Sequence, residues 1–133
     1  MITDGLTITG LGAGSLSSQR TAGPTSDVFA FQPGTANQDF SLSGITVQGD
    51  NVITGSGVVA NDNVETPRNV SAVDVTFTDM VNSVIGGPAI IVDTIAGILS
   101  VDDSRFFGNT GGASGGAISA VDVGTAITII NSE

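Results

Sequence analysis

Short runs of strict alternation dominate the chain: Leu6-Thr7-Ile8-Thr9, Phe40-Ser41-Leu42-Ser43, Val70-Ser71-Ala72, Leu99-Ser100-Val101 and Ile127-Thr128-Ile129. Each puts two apolar side chains on one face of an extended segment and a small hydroxyl on the other, which is the period of a strand. Helical spacing of apolar residues is almost absent. The runs begin at residues 6, 40, 70, 99 and 127, so they are separated by 34, 30, 29 and 28 residues. A nearly constant period of this size is the mark of a repeat architecture.

The register continues past each run. Four residues after each start stands Gly10, Gly44, Asp74, Asp103 or Asn131, residues that favour bends and left-handed backbone. The next column is Leu11, Ile45, Val75, Ser104 and Ser132, and two positions on come Ala13, Val47, Phe77 and Phe106. This predicts a strand, a one-residue bend and a second strand. A third strand is expected at Val28-Phe29-Ala30-Phe31, Val58-Val59-Ala60, Ala89–Val92 and Ala117–Val121, the last three following Gly clusters. Three short strands per turn describe a coil of a right-handed parallel β-helix, an all-β solenoid of about four to five coils with ~30 residues each. An antiparallel β-sandwich also uses short strands, but it supplies no reason for a ~30-residue register. Variable loops are expected at 12–27, 31–39, 48–57, 62–69 and 107–114.

Composition narrows what such a solenoid could do. Residues 1–133 suit a single domain, and the mean hydropathy of +0.35 is too high for wholesale disorder. There are 19 Gly and no Cys, His, Trp or Tyr. Eleven Asp and two Glu face Arg20, Arg68 and Arg105, giving a net charge of −10. That charge repels phosphate backbones and anionic membrane surfaces, so nucleic acid is not an expected partner. No apolar run reaches the ~18 residues of a membrane span, and direct membrane insertion is not expected either. Without His or Cys, Ser-His-Asp and Cys-His catalysis and zinc sites fall away.

The most specific stretch lies near the C-terminus. Phe106-Phe107-Gly108-Asn109 fits Phe-x-x-Asn, and Gly115-Gly116-Ala117-Ile118 fits Gly-Gly-Ala-Ile. The motif is degraded in Gly86-Gly87-Pro88-Ala89-Ile90, where Pro88 reads as an insertion, and Phe77-Thr78-Asp79-Met80 keeps the Phe without the Asn. These residues resemble the repeats of chlamydial-type polymorphic outer membrane proteins and of bacterial surface proteins built on pectate-lyase-like β-helices. The resemblance implies fold and an extracellular or cell-surface location rather than an activity. It also implies a ladder in the bend column, which here only Asp74, Asp103 and Asn131 could form.

Folds of that kind host polysaccharide lyases and epimerases, whose chemistry needs an Arg or Lys base beside a calcium-binding acid cluster. Arg105, beside Asp102 and Asp103, is the candidate base, and a surface ion pair is the simpler reading of those residues. No cofactor is expected apart from calcium, for which Asp62, Asp102 and Asp103 are the candidate ligands. Further oxygen clusters are Asp50-Asn51, Asn61–Asn63 and Asp79 with Asn82. None has EF-hand or β-roll spacing, and Asp and Asn are the ordinary residues of turns. The outward column Thr7, Ser41, Ser71, Ser100 and Thr128 resembles an ice-binding face, although small hydroxyls also suit any exposed strand.

No polar cap is evident at either end of the pattern, so either the chain is a segment of a longer solenoid or its ends meet and copies associate along the axis. The expectation is therefore a non-enzymatic structural or adhesive module, self-assembling end to end into filaments, with a carbohydrate or cell-surface ligand as a further partner. The alternative is a fragment of a polysaccharide-acting enzyme.

Overall fold

A computed structural model describes residues 5–19, 27–31, 38–51, 54–61, 69–83, 87–93, 97–112, 116–121 and 126–133. Among these residues the chain is all strand, bend and turn, with no helix. The first coil carries β1 (Leu6–Thr9), β2 (Ser17–Gln19) and β3 (Phe29–Phe31). The second carries β4 (Phe40–Ser43), β5 (Thr46–Gln48) and β6 (Val58–Asn61). The third holds β7 (Val70–Val73), β8 (Thr76–Thr78), the two-residue β9 (Val81–Asn82) and β10 (Ile90–Asp93). The fourth holds β11 (Ile98–Asp102), β12 (Arg105–Phe107), β13 (Thr110–Gly111) and β14 (Ile118–Val121), and β15 (Ala126–Ile130) opens a fifth.

Among the described residues the named strands pair in parallel with their equivalents in successive coils, and Gly55 makes an isolated antiparallel bridge to Val81. The sheets run β1-β4-β7-β11-β15, β3-β6-β10-β14 and β2-β5-β8-β12, with a short β9-β13 pair beside them. The molecule is a parallel β-helix. Its right-handed sense is what the chirality of parallel crossovers requires.

The first sheet follows the sequence register residue for residue. Leu6, Phe40, Val70, Leu99 and Ile127 form one inward column, and Ile8, Leu42, Ala72, Val101 and Ile129 form the next. Leu42, Ala72 and Val101 are fully buried, whereas Ile129 is 52% exposed because no described coil covers it. The third-strand column is equally direct: Phe29, Val58, Ile90 and Ile118. Phe77 and Phe106 stack face to face, with centroids 5.2 Å apart, in the lumen wall of the second-strand sheet.

Two features depart from expectation. Ser18, not Ala13, pairs with Val47, and Leu11 is 95% exposed instead of pointing inward. The first coil makes a turn at residues 13–15, closed by a bond from Ser15 N–H to Gly12 C=O. These extra residues displace the second strand by five positions and lengthen this spacing to 34. Pro88, secondly, is not an insertion. Ile90 pairs with both Val58 and Ile118, so Pro88 occupies the place of Gly116, and Ser56 the equivalent place one coil earlier. Several expected loops also contain strand: β2 lies within 12–27, β13 within 107–114, and Thr54 bridges to Val81.

Close stacking explains two of the glycines. A Cβ at Gly10 would stand 2.1 Å from the Gly44 carbonyl oxygen, and one at Gly49 would stand 2.1 Å from that of Asp79. The backbones of adjacent coils meet there, and no side chain fits between them.

Removing an aromatic from the lumen should be costly. Phe77→Ala is expected to lower unfolding free energy by about 3–5 kcal/mol, read from urea denaturation, because it deletes a fully buried ring and its stacking on Phe106.

Candidate functional site

The polar residues singled out by the repeat cluster at the bends, and each bend is built by left-handed backbone. In the first bend column Gly44, Asp74, Asp103 and Asn131 have φ of 61°, 52°, 48° and 49°. Asp and Asn tolerate this region better than other residues with a Cβ, which explains their choice. Gly10 is the exception: its φ is not positive, and close approach to Gly44 is what demands glycine. Asp74 and Asp103 are exposed, so their mutual repulsion is screened by water.

The column after the bend shows how the lumen accepts polar residues. Ile45 and Val75 are buried, and Ser104, 1% exposed, takes the next place. Its Oγ donates to Asp102 C=O two residues back (2.9 Å) and accepts the Val75 N–H from the coil below (3.2 Å). Ser132 repeats this: it donates to Ile130 C=O (2.8 Å) and accepts Ser104 N–H (3.2 Å).

A second bend follows β5, β8 and β12: Asp79 and Gly108, in register one coil apart, have φ of 59° and 67°, and Asn51, two residues past the register-equivalent Gly49, has φ of 59°. The Asp79 carboxylate accepts bonds from Asn51 Nδ2 (3.1 Å) and Gln48 Nε2 (3.3 Å) one coil away. Asn109, the Asn of the Phe-x-x-Asn motif, acts similarly. Its Oδ1 accepts Met80 N–H (3.1 Å) and its Nδ2 donates to Phe77 C=O (3.0 Å), capping the bend of the coil below. In that motif Phe106 stacks on Phe77, Ala117 C=O accepts Ala89 N–H (3.0 Å), and Ile118 lies over Ile90. Gly116 is exposed with open space around it, and Gly115 lies outside the described residues.

A third polar column escaped the sequence reading. Asp39 Oδ1 accepts Asn69 N–H (2.8 Å), and Asn69 Oδ1 accepts Ile98 N–H (3.1 Å). These residues immediately precede the alternating runs, and their thirty-residue spacing is the signal that could have revealed them. Asp27, holding Ser56 N–H at 2.8 Å, performs the same coil-to-coil task elsewhere.

Of the calcium candidates, Asp102 and Asp103 lie among the described residues, in different columns. Asp62 lies outside the described residues. Asp102 stands in the outward column of Thr9, Ser43, Val73 and Ile130, while Asp103 turns into the bend beside Asp74. Asn82 is buried and donates to Ser56 Oγ (3.0 Å). Among the described residues no three His, Cys, Asp or Glu side chains come together as metal ligands.

Arg105 also finds a partner other than the expected Asp102 or Asp103. Its Nε lies 3.0 Å from Glu133 Oε1, with both side chains mostly exposed. An ion pair so open to water contributes little to stability. A groove of about 520 Å³ is lined by Asp74, Asp103, Arg105, Asn131 and Glu133, and so brings Arg105 and Asp103 to one surface. The hydroxyl column Thr7, Ser41, Ser71, Ser100 and Thr128 is in register, with Ser71 Oγ donating to Ser41 Oγ (2.8 Å).

Asn109→Ala should cost about 1–3 kcal/mol in denaturant melts, since it leaves a backbone donor and acceptor of the neighbouring coil unpaired. Asp103→Gly should change stability by less than about 1 kcal/mol, whereas Asp103→Val, with a branched side chain forced into left-handed backbone, should lose about 1–3 kcal/mol. Comparison with protein-family models, curated proteins and solved structures finds no match to this chain.

Proposed function

We propose that this chain is a structural or adhesive module of an extracellular bacterial surface protein, a stack of coils that spaces and presents loops. The observation that carries this reading is where its polar chemistry is spent. Asp27, Asp39, Asn69, Asp79, Ser104 and Asn109 each hold a group on an adjacent coil. Side chains that would serve a substrate in an enzyme serve the ladder here. The surface location rests on the resemblance of the motifs between Phe106 and Ile118. A carbohydrate or cell-surface ligand would meet the loops and the flat outer faces. The chain has no Trp or Tyr to stack on sugar rings, which favours recognition through hydroxyls and amides.

The groove at the last coil favours a second reading, a fragment of a polysaccharide-acting enzyme. It gathers an arginine, three carboxylates and an amide on one surface. Against this, the Arg105 guanidinium is already engaged by the Glu133 carboxylate.

The two readings part in one experiment. Incubation with uronic-acid polymers, with and without calcium, is expected to release no unsaturated oligosaccharide, followed by ultraviolet absorbance. Turnover that Arg105→Ala abolishes would overturn the scaffold reading. Calcium added alone is expected to leave the thermal midpoint unchanged.

A further inference from the structure

We draw no further inference here: the strongest candidate, the outer face of the second-strand sheet where the buried Thr78 hydroxyl lacks a hydrogen-bond partner one coil below the exposed Phe107, carries none because nothing in the structure shows what covers it.

Discussion

Parallel hydrogen bonding between coils constrains everything else in this molecule. A parallel ladder fixes which residue lies over which, and with a side-chain period of two, a one-residue slip would turn a whole inward column to water. Phe40, Val70 and Leu99 are stacked and buried because their strands are locked in that register. The core is therefore a set of columns, each only as sound as its neighbours. Coil length is free to vary between rungs, and the turn at 13–15 shows this: it displaces β2 along the chain yet leaves Ser18 paired with Val47.

The same constraint decides which polar residues the interior tolerates. Ser104 is buried in a column otherwise occupied by Ile45 and Val75, at a place where an unpaired hydroxyl would be costly. Its oxygen takes the Val75 N–H and its proton goes to Asp102 C=O, so nothing is left unmet. Asn109 does the equivalent work at a bend with an amide, which can donate and accept at once. Such side chains act as extensions of the backbone ladder into the corners where strand pairing stops.

Much of this was legible in the sequence, and the part that was not has a physical cause. Alternation exposes strands, and the first sheet could be read to the residue because its runs are uninterrupted. The first bend column was legible because left-handed backbone narrows the choice to Gly, Asp and Asn. Leu11 and Ala13 were misplaced because extra residues in a turn leave no periodic trace. Pro88 looked like an insertion because a motif was matched by residue type, whereas pairing of Ile90 with Ile118 shows that it substitutes for Gly116. The partner of Arg105 was hidden for another reason. The left-handed bend at Asp103 separates Arg105, which opens β12, from Asp102, which ends β11, and the partner of Arg105 lies one coil away at Glu133.

Repetition has a cost that the distribution of acids limits. Stacking superimposes equivalent positions about 4.8 Å apart, so any acid repeated in every coil would become a line of charge along the axis. In the bend column acids occupy only Asp74 and Asp103, bounded by Gly44 on one side and Asn131 on the other. The central outward column, Thr7 to Thr128, carries no charge at all. In the bend column acids run only two deep, so the stacked coils carry no continuous line of charge there despite the net charge of −10.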